Sequence, residues 1–461
     1  MLFVKDQAAC RNCPMFQSGL QPFVPDEIVP GSTVFILGQN PGAQEEAQGQ
    51  PFIGPTGQTM MKNYFPLAGL ERGKDVSIGN AIRCRLHGGN DLPSLDKKDH
   101  LAEKALSHCR DAHLKIPDST KLIVAQGEYA LRSLTGEKGI MTWRGWLLPQ
   151  QDAQVDRSII YTPELVEGLV SQPPVYATMH LATLFHDPAL RVTMQADWHK
   201  ISRILAGTWP LKMPWLEARL PHVWPKEFAF DTEYVPDTGK LIRVSLATED
   251  RIVWVVEADT IEYGMVTKPG TRVIMQNAVA DLPYLDGLVD LDHVEIEDTM
   301  LVHSCLWQGA GENEDTAGGK SRGLPHSLDF LASIYGSINR SKHLAQVSPR
   351  LYSGADALIT LDVWNGLKGE LARDPQSEWI YRNSVLPMAK VIWRAHQRGL
   401  RINKPRVKQV KEELSEITQK AEEMAQASVG YPLNLGSSQQ VARQLYKIEG
   451  IKEPKQKRGK R

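Results

Sequence analysis

Short, wholly apolar runs closed by glycine, proline or polar turns recur through the first two hundred residues: STVFILG running into GQNPG, then DVSIGN, KLIVAQG and PVYATMH. Stretches with helical spacing lie between them, such as QTMMKNYF and QADWHKISRILAG. Strands alternating with helices predict a parallel α/β sandwich, with function in the loops beyond the strand ends. The informative loops are then GQNPG, QGQPFIG, GNAIRC and MHLATLFHDPALR. A second group of strand-like runs begins at FAFDTEY, and from about residue 379 apolar residues recur at helical spacing beside charged faces. The Trp/Pro-rich stretch GTWPLKMPWLEARLPHVWPKE reads as a stiff linker, because proline removes backbone donors and disfavours continuous helix. A weaker boundary falls near RDPQSEW. The expected organisation is a domain over 1–207, a linker over 208–226, a domain over 227–374 and a helical segment over 375–461.

A chain of 461 residues exceeds one ordinary core, in keeping with two or three domains. No apolar run approaches membrane-spanning length, and MLFVKDQAACRNC lacks the layout of a signal peptide, so a cytoplasmic address is expected. The net charge of -1 argues neither for nor against nucleic acid. The terminal KEPKQKRGKR is a dense basic run that suits phosphate contact or a solvated tail equally well. Five cysteines in a long chain with an expected cytoplasmic address do not make a disulfide framework. Cys10, Cys13, Cys84 and Cys109 fall in the N-terminal quarter, whereas Cys305 reads as a small buried hydrophobe. Four thiolates suit iron–sulfur or zinc, and the residues alone do not separate the two.

The middle third carries four carboxylates beside apolar runs. Asp231 and Glu233 sit in FAFDTEY, Asp281 follows Asn277 by four positions, and Asp356 follows Tyr352 by four. Taken singly, each is more often a solvated surface charge. Converging acids with no basic residue between them need cations, which predicts bound Mg²⁺ or Mn²⁺. Two such ions can clamp the attacking and leaving oxygens of a phosphodiester, the chemistry of a metal-dependent nuclease.

The set D-x-E, N-x3-D and Y-x3-D resembles the three exonuclease motifs of the DEDD superfamily in its tyrosine subclass, the proofreading 3′–5′ exonuclease of family A DNA polymerases. EDTMLVHSCL, with Asp298, and GLPHSLDFLASIYG also fit. The resemblance implies an RNase H-like α/β domain in which Asp231, Glu233, Asp281 and Asp356 hold two metal ions and Tyr352 orients the nucleophilic water. An inactive copy kept as a spacer usually lacks some of these acids, and none is lost here.

The N-terminal loops together resemble the uracil-DNA glycosylase superfamily, closest to its iron–sulfur family 4. The GxxPG turn, PFIG with a following glycine, N-x3-C-R and a late histidine loop occur in the family's order. The resemblance implies a three-layer sandwich that flips a base out of DNA and reads its Watson–Crick edge. On it, Phe52 stacks on uracil, Asn80 reads the polar edge, and His180 donates to the base oxygen where charge grows. Leu184 and Phe185 wedge into the vacated space. Cys10, Cys13, Cys84 and Cys109 become ligands of a [4Fe–4S] cluster, a structural staple. Zinc or ligand exchange stays open, because the long segment after Cys84 carries His87, His100 and His108.

Two positions depart from the family. Gln39 stands where family 4 has a glutamate that orients water, and Gln cannot act as a base. The adjacent Asn40 is similar to the asparagine of other branches, which positions water without taking its proton. Leu181 replaces a proline after the histidine. These departures leave a second reading, a non-catalytic binding module. Finally, VLPMAKVIWRAHQRGLRI, the long charged helix and YPLNLGSSQQVARQLY resemble the opening of a family A polymerase thumb. No palm or fingers follows, so no polymerase activity is expected of this chain. The expected partners are uracil-containing DNA, primer 3′ ends and other replication proteins, with the chain a monomer and no membrane involved.

Overall fold

A computed structural model describes residues 2–3, 6–15, 21–85, 92, 95, 100–153, 155–156, 158–162, 172–262, 266–307 and 324–452. His87 and the basic run from residue 453 onward lie outside them. The chain forms two compact units, Met1–Arg394 and Ala395–Arg461.

Near the start, β1 (Leu2–Phe3) pairs antiparallel with β2 (Pro22–Phe23). A five-stranded sheet follows, built from β3 (Val34–Gly38), β4 (Val76–Asn80), β5 (Leu122–Gln126), β6 (Leu147–Leu148) and β7 (Val175–Thr178). Its order is β4-β3-β5-β7-β6, with β6 alone antiparallel to its neighbour. Every residue of the four parallel strands is buried, which is why they read as unbroken apolar runs rather than as alternation. Successive side chains point to opposite faces. Val34 and Ile36 join Met60, Phe65 and Trp198, from the helices Pro55–Asn63, Phe65–Ala68 and Arg191–Leu205. Phe35 and Leu37 meet Leu106 and Ala130, from Leu101–His113 and Glu128–Thr135. The result is the expected three-layer sandwich, with Gly38, Asn80, Gln126 and Thr178 at one margin.

The second sheet has the order β13-β12-β9-β10-β11-β8. Its strands are β8 (Leu216–Glu217), β9 (Glu227–Val235), β10 (Lys240–Ala247), β11 (Val253–Glu257), β12 (Thr271–Met275) and β13 (Val294–Asp298). The helix Pro349–Leu371 packs across β9, β10 and β11. Gly354 permits that approach, since a Cβ there would lie 2.8 Å from Leu216 and 3.0 Å from Val255.

The stretch read as a linker is instead absorbed into this architecture. β8 pairs with β11, Trp224 is buried and stacks on Phe228 at 4.9 Å, and the buried Trp209 donates its indole N–H to Gly336 O at 2.9 Å. Proline stops helix there, and the buried rings of Trp209 and Trp224 anchor the stretch, while Trp215 stays exposed.

The two sheets also share a polar junction. Arg144 pairs with Asp197 at 2.7 Å and donates to the Ser333 hydroxyl at 2.8 Å. Lys200 Nζ donates to Gly145 O and Ser333 O, over the rings of Trp146 and Trp209. Asn339 Nδ2 donates to Leu147 O and Tyr161 O, while its Oδ1 accepts from Leu147 N–H. Such groups are costly to bury unpaired, and here each side-chain nitrogen of Arg144, Lys200 and Asn339 finds an acceptor.

The boundary read near RDPQSEW is not where the chain divides. Tyr381, beyond it, is fully buried, and its hydroxyl reaches Glu297 and the Asp298 N–H, both at 2.9 Å. In the second unit, the helix Lys404–Val429 is capped by Asn403 and ends at Gly430 in the left-handed region. No helix among the described residues is long and apolar enough to cross a membrane.

Candidate active sites

The margin where β3 and β4 end gathers the N-terminal candidates. A Cβ on Gly38 would sit 2.4 Å from the Phe52 ring and 2.8 Å from Asn80 Oδ1, so ring and amide both lie against bare backbone. The Asn80 side chain is 3 % exposed, and its Nδ2 has no hydrogen-bond partner. A buried amide donor without an acceptor is costly, and such a group in a native fold calls for a ligand or water. Gln39 and Asn40, both half-buried, continue from β3. Their turn is fastened to the segment after Asn80 by Ala81 N–H to Gly38 O (2.9 Å) and Ile82 N–H to Gln39 O (3.0 Å).

His180 lies just beyond β7. The Ala182 N–H donates to His180 Nδ1 at 3.3 Å, and burial holds the imidazole below its usual pKa. A neutral ring with Nδ1 accepting carries its proton on Nε2, which leaves Nε2–H as the donor. Gly127 makes room, since a Cβ there would come within 3.0 Å of His180 Cβ. Leu181 is buried, Leu184 packs on the core, and Phe185 is 60 % exposed on the short helix Thr183–His186.

Cys10, Cys13, Cys84 and Cys109 line one small cavity with Arg83 and His113. Burial first, then Cys109 and Cys13, pushes the Cys10 thiol up to about 11. Cys84 is raised further by the same causes. Burial keeps the Cys10 and Cys84 thiols neutral, and coordination to a cationic cluster would supply the positive charge that makes such groups thiolates. His113, one helical turn after Cys109, belongs to none of the sequence motifs; its Nε2 lies 3.1 Å from Cys10 Sγ. His108 instead meets Ala9 O at 2.9 Å, and His100 meets Glu103 at 2.9 Å. Among the described residues, no three His, Cys, Asp or Glu side chains are arranged to hold a single metal ion.

In the second domain, β9 supplies Asp231 and Glu233, the helix Ala278–Leu285 supplies Asp281, and Pro349–Leu371 supplies Tyr352 and Asp356. Burial, then Asp281, Asp356 and Glu233, pushes Asp231 well above the usual carboxylate range, and its Oδ2 has no partner. Asp281 and Asp356 are each pushed up to about 7, chiefly by burial. Thr232 donates to Asp281 at 2.5 Å, and Tyr352 hydrogen-bonds Asp356. Glu233 is raised by burial and opposed by Arg243. A buried carboxylate with one unpartnered oxygen among like charges fits a divalent cation. Asp298 serves the backbone instead. It accepts from the N–H groups of Asn277, Ala278, Met300 and Leu301, and so caps two helices at once.

Residues 25–202 match the uracil DNA glycosylase superfamily. The chain is 24% identical over 201 residues to the type-4 uracil-DNA glycosylase of Sulfurisphaera tokodaii, covering 42% of this chain and 80% of that protein. With the Archaeoglobus fulgidus type-4 enzyme the figures are 23% over 215 residues, 46% and 96%. Among solved structures, the POL domain of Pol1 from M. smegmatis, in complex with DNA primer-template and dNTP, aligns with TM-score 0.37 and 19% identity, over 52% of this chain and 40% of that one. Brucella melitensis NrnC with bound Mg²⁺ aligns with TM-score 0.28 and 18% identity, over 38% and 90%. Over residues 25–202, then, the chain is similar to the uracil DNA glycosylase superfamily, with type-4 enzymes among its relatives.

Proposed function

We propose that the N-terminal domain hydrolyses the N-glycosidic bond of deoxyuridine in DNA, and that the second domain removes nucleotides from 3′ ends with Mg²⁺ or Mn²⁺. The observation that carries the first activity is the orphaned Asn80 amide donor, held beside the Phe52 ring against Gly38. A flipped uracil stacked on Phe52 offers that donor a carbonyl oxygen. His180 donates Nε2–H to the base oxygen that gains charge as the bond to C1′ breaks. Asn40 positions the attacking water, while Gln39 does not take its proton. The departing uracil anion and the cationic sugar carry most of the bond breaking. Phe185, exposed at the late loop, fills the space the base leaves.

Cys10, Cys13, Cys84 and Cys109 would hold the [4Fe–4S] cluster, with zinc the lesser alternative. Such a cluster, when bound, ties the N-terminal segment to the sheet. Asp231, Glu233, Asp281 and Asp356 would hold the divalent ions, which when bound offset the acids' repulsion and polarise water and phosphate. Tyr352, hydrogen-bonded to Asp356, orients the water. We read residues 375–461 as the first part of a polymerase thumb, so that both sites serve quality control of a DNA strand, in a cytoplasmic monomer.

A 3′-blocked, 5′-labelled oligonucleotide with one internal uracil, incubated with protein in EDTA and then treated with alkali, tests the first activity. Scission at the uracil supports it. An intact strand, from protein that retains its iron, leaves the N-terminal domain a non-catalytic binding module, the reading that Gln39 favours. The same strand with a free 3′ end should shorten stepwise only when Mg²⁺ is present.

A further inference from the structure

Phe52 is held by a cation that none of the motifs contains. Its backbone sits at φ 54°, in the left-handed region that residues other than glycine rarely occupy, so the surroundings must fix it there. Arg72, in the turn before β4, reaches that loop with Nη1 donating to Phe52 O at 2.9 Å and Nη2 to Pro51 O at 2.7 Å. Glu27 grips the same guanidinium through Nε–Oε1 at 3.0 Å and Nη2–Oε2 at 2.7 Å. Arg72 in turn holds the Glu27 carboxyl below its usual pKa.

Glu27 is itself fastened to the strand that delivers Asn80. Its N–H donates to Ile78 O at 2.8 Å, and its carbonyl accepts from Ile78 N–H at 2.9 Å. Gly57 closes the loop from the other side, where a Cβ would fall 2.0 Å from Phe52 O. One strand therefore carries Asn80 directly and holds Phe52 through Glu27 and Arg72.

We propose that Arg72 is a positioning residue for base recognition: it fixes the distance between the Phe52 ring and the Asn80 amide, and so which pyrimidine fits between them. This rests on the base-binding reading of the N-terminal site. Lysine cannot substitute, because a single ammonium cannot serve two carbonyls and a bidentate carboxylate together.

The test is a double-mutant cycle of Arg72→Ala and Phe52→Ala in the full-length protein. It is read by the Kd for a single-stranded oligonucleotide with one uracil against the same strand with thymine, in EDTA. Arg72→Ala should weaken uracil binding by about 10-fold, the scale of one lost base stack, and leave thymine binding unchanged. The double variant should be no weaker than Phe52→Ala alone. Should Arg72→Ala fail to fold, Arg72→Lys takes its place in the cycle, with a smaller loss of the same kind. Losses equal for both strands, or multiplying in the double variant, would overturn the proposal. A wild type that prefers the uracil strand but releases no base sinks the hydrolysis reading while the cycle still reports on Arg72. A wild type blind to uracil sinks both.

Discussion

Replacing Asn339 with alanine tests how firmly the two α/β domains are joined. The residue is 1 % exposed and makes three hydrogen bonds across the junction: Leu147 N–H to Oδ1 at 3.1 Å, and Nδ2 to Leu147 O at 2.9 Å and Tyr161 O at 3.0 Å. Truncation strands three backbone groups. At about 1 kcal/mol each, the low end for a buried unsatisfied group, the loss is about 3 kcal/mol. Because a multidomain chain need not unfold in one step, the readout is local: hydrogen exchange at the Leu147 amide. The variant should speed that exchange by about 100-fold, with urea sensitivity rising in parallel. Asn339→Leu refills the volume but leaves the same groups unpaired, so it should not rescue protection. An exchange rate within about threefold of wild type would refute the reasoning, since three buried bonds cannot vanish at so small a cost.

Gly38→Ala should abolish uracil-specific binding, because its Cβ lies 2.4 Å from the Phe52 ring; unchanged Kd on the oligonucleotide pair would count against that floor. Tyr352→Phe should slow Mg²⁺-dependent 3′ shortening by about 100-fold, as loss of a water-orienting hydroxyl does, without altering base release in EDTA. Asp281 and Asp356 have folded pKa values raised to about 7, so metal-free protein holds more protons than its unfolded chain between about pH 4 and pH 7. Their contribution to stability is full below that window, drains as pH rises through it, and stays lost above. Mg²⁺ should then raise the melting midpoint more at pH 8 than at pH 5, and equal shifts in scanning calorimetry would contradict this.

What the sequence disclosed is what leaves a local trace. Buried parallel strands write themselves as apolar runs, and acids at fixed offsets from Asn277 and Tyr352 can be seen without a fold. The structure brings Asp281 and Asp356 close enough to Asp231 to raise its pKa. Arg72, His113, Asn339 and the Arg144–Asp197 pair carry no such trace. Each is a polar residue whose partner is set by tertiary contact, as with Asn339 and Leu147, 192 positions apart. The Trp/Pro-rich stretch shows the same limit: proline announces a local break, whereas the burial of Trp209 and Trp224 depends on surfaces contributed from far along the chain.

β6 is the open margin of the first sheet, and both polar backbone groups of Leu147 face away from β7 toward Asn339. The carboxamide of Asn339 has the donor and acceptor of one peptide unit, so it imitates a single residue of a neighbouring strand. Without it, the two-leucine margin is a template on which another chain could add a strand. A reagent made by cutting the chain near residue 207 would expose that template and invite self-association, even with every glycosylase motif intact. A useful N-terminal fragment would have to carry its own cover for β6.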